Sequence, residues 1–447
     1  MKNIEAIRQI VIKRRRGYVQ ELRQKKIDVT LSSLSSFRTL LFNNFSSGLD
    51  IIKDKNVNTK INKINFFYQI KNFLYISRFS NINIIGDISQ KNLKKYDKII
   101  VVWSKAKDFS KDGKYYNTYF NISSNEKKIV WFLIHLGNQV PKKIKKNIII
   151  LTQERTKLGL NVFFLLRYFF KILKEKNFLP SRAYHELSFD SLIAHKVKDF
   201  FTGILSYYYP KKIIFPYESQ PFQNAFISTV KKSKKKIKLI GYDHSSNPFP
   251  VYNTYNFNSP DLLYVHSDAS KFFYSKYFKW PTEKVKKIPS FRITKKKPNK
   301  FKYKIFLPYD FYSVDEIIKN FELLLNLNQI KNIKKWTVKI HPSRLNSKKH
   351  VLLRERIYQA IQTNKGKQLT NTKENLSIHI GNTSTVIESL EIGVPAIHIV
   401  SDPIFDFFSS KFWPTIRVNA LSSNIFKYSL KKFGKCLIFK SKTVNFN

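Results

Sequence analysis

The sequence predicts an α/β protein with two lobes, each built on a largely parallel sheet, that face each other across a cleft. Three observations support this fold class. Short apolar runs alternate with helical stretches, a charged break at 293–302 divides this alternation in two, and 447 residues suit two domains better than one. We place the first lobe, with a helical N-terminal extension, at residues 1–295 and the second lobe at 303–447.

The predicted strands are almost continuously apolar, as expected for parallel strands that are buried on both faces. In the first lobe they are 82–85, 98–103, 129–135, 147–151, 212–215, 237–242 and 262–266. In the second lobe they are 304–307, 336–340, 376–380 and 396–400. Helices are predicted at 159–176, 190–208, 222–232, 269–278, 313–328, 350–363 and 384–392. This alternation favours doubly wound sheets, which bind ligands beyond the carboxyl ends of their strands.

Lysine dominates the charge of the chain. The 81 basic and 30 acidic residues give a formal net charge of +51, which favours anionic partners such as nucleotides or acidic lipid head groups. Much of this excess accompanies a general abundance of Lys, Asn and Ile with only 12 Gly, and scattered lysine runs are typical of solvated surfaces. The one cysteine, Cys436, excludes a disulfide framework and a cysteine-based zinc site.

The N-terminus is charged and has no long apolar segment, so no signal peptide is expected. The most apolar helix candidate, 160–173, is shorter than the roughly 20 residues that a membrane span needs, and Arg167 lies at its centre. We therefore expect a buried core helix here, and a cytoplasmic protein that can rest on the inner membrane surface.

The segment VKIHPSR at 338–344 ends a predicted strand of the second lobe. Because the residue before a proline is disfavoured in helical geometry, His341 is expected at the carboxyl edge of the sheet, over the cleft. There it can donate to a phosphate oxygen, with Lys339, Pro342 and Ser343 beside it. The alternative is an ordinary strand-end turn with an exposed histidine.

A second motif, LSIHIGNTSTVIESLEIGVPAIHIV at 376–400, reads as strand, turn, helix, turn and strand. The hydroxyls Thr383, Ser384 and Thr385 fall where the helix begins, and the free backbone N–H groups of a helix start suit a phosphate. Glu388 lies one turn further on, within reach of a ribose edge. The competing interpretation is a capping box with Thr385 as the N-cap and Glu388 reaching back.

We expect these two motifs on adjacent strand ends of one sheet. The pair His341-Pro342 and Ser384-Thr385 resembles the motifs of bacterial CMP-sugar transferases of the GT-B fold, including bacterial sialyltransferases. In that family a His-Pro motif and a Ser-Ser or Ser-Thr motif of the C-terminal lobe contact the CMP part of the donor. The resemblance implies two Rossmann-like lobes and a nucleotide-sugar donor. The Glu-x-x-x-x-Gly-x-Pro spacing at 388–395 is also similar to UDP-sugar enzymes of this fold, so a UDP donor stays open.

Two segments follow predicted strands of the first lobe and should lie on the cleft rim: FPYESQPFQNAF at 215–226 and KLIGYDHSSNPFP at 238–250. They resemble a group of bacterial surface-carbohydrate biosynthesis proteins, in which a strand ending in Tyr-Glu precedes an aromatic-led helix and a Gly-Tyr-x-His-Ser segment follows. That resemblance carries over to four acceptor-side residues: Tyr217, Glu218, His244 and Ser245. Trp103-Ser104 and Gly137-Asn138 also follow strands and are weaker candidates for lining the acceptor pocket.

An inverting glycosyltransferase needs one base to take the acceptor proton. Our candidate is Glu218, with Asp243 and His244 behind it. The acidic motif with a glycine that sialyltransferases of this fold use is not evident in this sequence. The alternative is that Glu218 is a structural acid near the first turn of the predicted helix 222–232, where the helix dipole favours it, and that His244 is a loop histidine.

The motifs together predict an inverting glycosyltransferase that uses neither a cofactor nor a metal, since an Asp-x-Asp motif is missing. The favoured donor is a CMP-linked nonulosonic acid or Kdo, and the acceptor is a surface glycan, as in lipopolysaccharide or capsule, or a lipid-linked sugar. His341 and Lys339 would neutralise the leaving phosphate. The alternatives are a sugar-nucleotide epimerase of the same fold and a nucleic-acid-binding protein. No recognisable nucleic-acid module occurs, so no nucleic-acid partner is expected.

Overall fold

The structure is a computed structural model that describes residues 4–13, 81–126, 128–135, 139–154, 166, 189–311, 313–327, 330, 336–363, 375–431 and 435–440. The predicted helix at 159–176, apart from residue 166, and the Gly137-Asn138 turn lie outside the described residues. Within the described part, helices alternate with the strands of two large sheets. The predicted α/β class with two Rossmann-like lobes is confirmed.

The elements follow the predicted order closely. The helices are α1 (4–13), α2 (Gln90–Leu93), α3 (Phe189–Ile204), α4 (Pro221–Lys232), α5 (Asp268–Lys276), α6 (Val314–Asn326), α7 (Lys348–Thr363) and α8 (Thr385–Glu391). The strands of the first lobe are β1 (Asn81–Ile85), β2 (Lys98–Ser104), β3 (Tyr116–Asn117), β4 (Ile122–Ser123), β5 (Ile129–His135), β6 (Ile148–Glu154), β7 (Lys212–Pro216), β8 (Lys238–Tyr242), β9 (Leu262–Val265) and β10 (Val285–Lys287). Those of the second lobe are β11 (Lys304–Phe306), β12 (Thr337–Lys339), β13 (Ser377–Ile380), β14 (Ala396–Ile399), β15 (Ile416–Ala420) and β16 (Ile425–Leu430).

The first sheet has eight strands in the order β1-β6-β5-β2-β7-β8-β9-β10. Every neighbouring pair is parallel except β1 with β6. From β2 the chain winds outward through β5 and β6, and it then returns to β7 on the other side of β2. The crevice between the carboxyl ends of β2 and β7 is therefore a topological switch point, where open α/β sheets bind their ligands.

The second sheet has six strands in the order β12-β11-β13-β14-β16-β15. Its first four strands are parallel. The hairpin of β15 and β16 lies at one edge, where β16 pairs antiparallel with β14. The chain reverses its winding at β11, so the switch point of this lobe lies between β11 and β13. This order corrects one prediction: the two motifs of the second lobe do not follow adjacent strands, because β11 lies between β12 and β13. At about 4.8 Å per strand spacing, their strand ends are about 10 Å apart.

Aromatic packing fills the first lobe under its sheet. All seven residues of β5 are buried, and Phe132 of that strand stacks on Phe200 of α3 with ring centroids 4.4 Å apart. Phe201 in turn contacts Phe226 of α4 at 5.3 Å. Helix α4 begins with Pro221, whose fixed φ suits a first helical position. These contacts hold α4 against the sheet and fix the loop that leads from β7 into it.

A shared apolar core joins the two lobes. Tyr277 of the first lobe stacks on Phe412 of the second, with ring centroids 4.1 Å apart, and the indole of Trp413 donates to the carbonyl of Pro248 at 3.2 Å. Arg8 of α1 is completely buried and donates to the carbonyls of Ile404 and Phe407 at 2.7 and 2.6 Å. These hydrogen bonds hold the first helix against the 402–413 segment of the second lobe.

The C-terminal segment 435–440 returns to the first lobe. The N–H of Ile438 donates to the carbonyl of His266, and the N–H of Ser290 donates to the carbonyl of Ile438, both at 2.8 Å. The domain limits at 295 and 303 remain predictions. Across the described ranges, no helix has both the length and the apolar character that crossing a bilayer requires.

Candidate functional site

Glu218 lies at the switch point of the first lobe, two residues after the end of β7. Gln223 of α4 holds the loop, because its side-chain oxygen accepts from the N–H of Glu218 at 3.0 Å. Ser219 adopts a left-handed conformation with φ of 50°, which turns the chain from the strand toward α4. The Glu218 carboxylate accepts from the amide of Gln220 at 2.6 Å and lies 3.7 Å from Nε2 of His244. Its side chain is 16% exposed, so it is oriented yet accessible.

Asp243, the second-ranked candidate base, lies close to Glu218 and is more deeply buried. It is 7% exposed, and burial raises its pKa to about 7, with the negative charge of Glu218 adding to this rise. Hydrogen bonds from the Tyr274 hydroxyl and the Ser245 N–H act in the opposite direction. His244 is also buried, with the Tyr119 ring against it at 4.8 Å. The first lobe therefore carries two carboxylates of different accessibility beside an imidazole.

His266 is a member of this cluster that sequence reasoning missed. It directly follows β9, it is 1% exposed, and its ring lies 5.3 Å from that of Tyr242. Burial lowers its pKa to about 3, with the charge of His244 as a smaller cause, so the ring is neutral at physiological pH. The sequence did indicate a position at the strand end, because the predicted strand 262–266 ends on His266.

Two predicted acceptor-side residues, Tyr217 and Ser245, make contacts within the first lobe. Tyr217 is 1% exposed, its ring packs against Trp280 at 6.1 Å, and its carbonyl accepts from the Asn253 amide at 3.0 Å. Alternation of side chains along an extended strand sends Tyr217 into the core and Glu218 the other way. This corrects the expectation that Tyr217 lies on the cleft rim. Ser245 is half-buried and supports Asp243 through its N–H.

In the second lobe, His341 lies two residues after the end of β12 and is the N-cap of the short 3-10 turn Pro342–Arg344. Nδ1 of its ring lies 2.7 Å from the Ser343 hydroxyl and accepts from the Ser343 N–H at 3.3 Å. Burial lowers the His341 pKa to about 4, and the nearby charge of Arg292 is the next largest cause. With Nδ1 accepting, the neutral ring carries its proton on Nε2, where it is available to a ligand.

The charges around His341 come from both lobes. Arg344 and His350 belong to its own lobe, whereas Lys105, directly after β2, and Arg292 belong to the first lobe, and all four act to lower the His341 pKa. Arg292 also acts on His266. His341 therefore shares an electrostatic environment with the first-lobe switch point. Sequence reasoning missed Lys105 and Arg292, since a basic residue in so basic a chain carries no signal by itself.

Tyr309 is a further residue that sequence reasoning missed. It follows β11 at the second switch point, and it is 48% exposed. The guanidinium of Arg344 lies 4.1 Å over its ring centroid, and Nε of Arg344 donates to its carbonyl at 3.1 Å. The His341 ring stands edge-on to it at 5.3 Å. The signal that could have found it is Pro-Tyr-Asp directly after the predicted strand 304–307.

The predicted hydroxyl cluster lies at the carboxyl end of β13, on the other side of this switch point. The Thr383 and Thr385 hydroxyls are 2.8 Å apart, and that of Thr385 is also 2.8 Å from Nδ1 of the buried His379. Gly381, with φ of +59°, brings the turn so close to Pro308 that a side chain here would meet it at 3.1 Å. His379 was not predicted, and it orients the cluster from below.

The capping-box alternative is not formed. Ser384 is the N-cap and makes no side-chain capping bond, whereas Thr385 is the first residue of α8. Glu388 is 7% exposed, and its carboxylate pairs with Lys296 of the interlobe segment at 2.8 Å. Lys339, Pro342 and Ser343 are exposed beside His341. In the described ranges, no group of three or more His, Cys, Asp or Glu side chains converges to hold a metal ion.

Three solved structures resemble this chain distantly. No family model and no curated protein sequence matches this chain. A glycosyltransferase from Rickettsia africae ESF-5 is 12% identical with a TM-score of 0.32, over 68% of this chain and 79% of that chain. An α,α-trehalose 6-phosphate synthase from Burkholderia multivorans is 12% identical with a TM-score of 0.33, over 69% and 83%. A UDP-forming α,α-trehalose-phosphate synthase from Burkholderia vietnamiensis is 12% identical with a TM-score of 0.33, over 69% and 86%. TM-scores this low assign no activity to this chain.

Proposed function

We propose that this protein is a glycosyltransferase that moves a sugar from a nucleotide-sugar donor to a glycan or lipid-linked acceptor. One observation carries the proposal. The residues singled out as base and as donor ligands, Glu218 and the 383–385 hydroxyls, each lie at the switch point of a doubly wound sheet. This is the position at which open α/β sheets take ligands.

The second lobe is the donor side in this proposal. The half-buried hydroxyls at 383–385 and the Nε2 proton of His341 supply hydrogen-bond donors for a phosphate, and the exposed Lys339 supplies positive charge. The charges of Arg292 and Lys105 extend this cationic environment into the first lobe. We favour a CMP-linked nonulosonic acid or Kdo as the donor, on the resemblance of His341-Pro342 and Ser384-Thr385 to CMP-sugar transferases. Glu388 remains our proposed ribose ligand, in competition with Lys296.

The first lobe supplies the base. The Glu218 carboxylate takes the proton of the acceptor hydroxyl as the acceptor oxygen attacks the anomeric carbon from the face opposite the nucleotide. The bond from that carbon to the phosphate oxygen breaks, and the nucleotide leaves with the electron pair. His341 and Lys339 stabilise the negative charge that develops on the phosphate. The anomeric configuration is inverted, and no metal is assigned a role.

A thermal-shift panel with CMP, UDP, GDP and ADP tests the donor side. A nucleotide that binds the folded state raises the melting temperature of the parent protein. We expect CMP to do so, and we expect His341→Ala and Ser384→Ala to reduce the shift strongly. His195→Ala on α3 and the exposed Ser410→Ala are the matched controls and should keep the shift of the parent. A parent that responds to none of the four nucleotides would contradict the proposal.

A further inference from the structure

The amino ends of the first-lobe strands form a row of lysines. Four neighbouring strands, β5, β2, β7 and β8, begin at or directly after Lys128, Lys98, Lys212 and Lys238. Lys212 is paired in register with Lys98 on one side and with Lys238 on the other. Like charges directly opposite each other destabilise a sheet, and burial together with the charge of Lys212 lowers the Lys98 pKa. We call these four residues the lysine row.

The positive charge extends beyond the row. Lys211 precedes β7, and Lys234, Lys235 and Lys236 lie in the turn that leads from α4 to β8. Asp97 lies within the row, and its carboxylate is 4.0 Å from Lys128 and 3.9 Å from Lys211. Ion pairs at these distances on an exposed edge contribute little. The edge therefore keeps a strong positive field.

A tyrosine-rich cavity of about 470 Å³ opens beside the lysine row. Its lining includes Tyr96, Tyr207, Tyr208, Tyr209, Lys94 and Lys211. Tyr209 is 53% exposed, and Ile88, whose carbonyl accepts from the Tyr207 hydroxyl at 2.7 Å, is 40% exposed. Lysines beside exposed Tyr and Ile side chains match the head-group region of a bilayer, where amphipathic rings and cations are both favoured.

We propose that the lysine row and its tyrosine cavity dock this protein on an anionic bilayer. A single-stranded nucleic acid would also suit lysines with aromatic rings, but base stacking needs an open ring face. Tyr208 is 2% exposed, and Nζ of Lys235 lies 3.3 Å over the Tyr209 ring. The Tyr208 ring is therefore closed to stacked bases and one face of the Tyr209 ring is already covered, which favours the bilayer.

Docking has a consequence for orientation. The lysine row and the Glu218 cluster lie at opposite ends of the same strands, separated by the five residues of β8, about 16 Å of extended chain. A bilayer at the amino edge would leave the carboxyl edge turned toward the aqueous side. The docking surface does not depend on the proposed function, because it shares no residue with the donor or base residues.

Flotation of the full chain with vesicles tests this surface. We expect binding to phosphatidylcholine vesicles that contain phosphatidylglycerol, no binding to phosphatidylcholine alone, and release by high salt. The variant with Lys128→Gln, Lys212→Gln and Lys238→Gln should bind about a hundredfold more weakly. It should melt at or above the temperature of the parent, since it relieves like-charge repulsion. Tyr209→Ala should weaken binding further without a change in charge.

A control with the same loss of charge separates the row from net charge. Lys286→Gln, Lys319→Gln and Lys348→Gln remove three exposed lysines elsewhere and should leave vesicle binding within about twofold of the parent. An equal loss in both triple variants would overturn the proposal, because general charge alone would then explain binding. Failure to float with anionic vesicles would also overturn it. So would tighter, row-dependent binding to a single-stranded oligonucleotide, which would assign the edge to nucleic acid.

Discussion

The two sheets are wound alike, but their carboxyl edges carry different chemistry. In the first lobe the residues after the strands are carboxylates and imidazoles, represented by Glu218, Asp243 and His266. Burial raises the pKa of Asp243 and lowers that of His266. In the second lobe they are hydroxyls and basic groups, such as Thr383, Ser384 and Lys339. One edge is therefore suited to moving protons and the other to holding an anion. The fold supplies one switch point in each sheet, and the few residues after the strands give each switch point its own chemical character.

The largest effect is expected at the accessible carboxylate of the first lobe. Glu218→Gln keeps the size of the side chain and an oxygen that can accept from Gln220, but it removes the base. We expect transfer to fall by about 10²- to 10⁴-fold, with the nucleotide-induced thermal shift unchanged, because the proposed donor site lies on the other lobe. Turnover of the donor identified by the nucleotide panel, in the presence of acceptor glycan, measures this.

The exposed Glu322→Gln on α6 is the matched control for this change, and it should keep the full rate. A Glu218→Gln protein that transfers at the parental rate would remove the base from the first lobe. Loss of the thermal shift in Glu218→Gln would instead mean that the two edges do not divide the work as described.

The second prediction concerns the buried carboxyl of Asp243. Its folded-state pKa of about 7 lies above the ordinary value of 3.8, so its neutral form stabilises the fold below about pH 4, and this contribution is lost as the pH rises toward 7. Asp243→Asn removes the titration. The stability of the variant relative to the parent should therefore increase between pH 4 and 7, by up to about 4 kcal/mol.

Urea unfolding of both proteins at several pH values measures this difference. Asp199→Asn, an exposed change on α3, should follow the parent at every pH. Parallel pH curves for Asp243→Asn and the parent would contradict the buried, proton-binding character assigned to the first edge.

Sequence reasoning found most strands of both lobes, since parallel strands such as β5 and β13 are buried on both faces and therefore apolar throughout. It missed β15 and β16, because Ile416–Ala420 alternates apolar with polar residues and has exposed positions, and Ile425–Leu430 mixes buried apolar residues with half-buried polar ones. The order of the strands in the sheet could not be predicted from the sequence either, since the reversal at β11 depends on the side of the strand on which each crossover packs.

The positions of the candidate site residues were predictable only in part. The sequence could place Glu218, Thr383 and Ser384 at strand ends because each follows a recognisable strand. The Lys296 contact with Glu388 and the approach of Arg292 to His341 could not. Each depends on contacts between segments that are far apart in the chain, and a local pattern carries no information about them.

A third prediction tests how the hydroxyl cluster is held. His379 contacts Thr385 through Nδ1 and Ser377 through Nε2, at 2.8 and 2.9 Å. Asn places its amide near the position of Nδ1, whereas Gln reaches the position of Nε2. We expect His379→Gln to weaken nucleotide binding about tenfold, equivalent to the net value of one lost hydrogen bond, and His379→Asn to weaken it much less. Both should lower the melting temperature similarly, so equal nucleotide affinities in the pair would show that His379 does not orient the cluster.

The smallest effect is expected at the ion pair between Lys296 and Glu388. The lysine side chain is 40% exposed and the glutamate 10%, so solvent screens the attraction, and Lys296→Met should lower the free energy of unfolding by less than about 1 kcal/mol. The informative measurement is the affinity for the nucleotide against that for its 2′,3′-dideoxy analogue. If Glu388 accepts from the ribose hydroxyls, Lys296→Met frees its carboxylate and widens the difference between the two ligands. An unchanged difference would leave Glu388 as a structural partner of the interlobe segment, and the donor edge would then hold its anion through hydroxyls and cations alone.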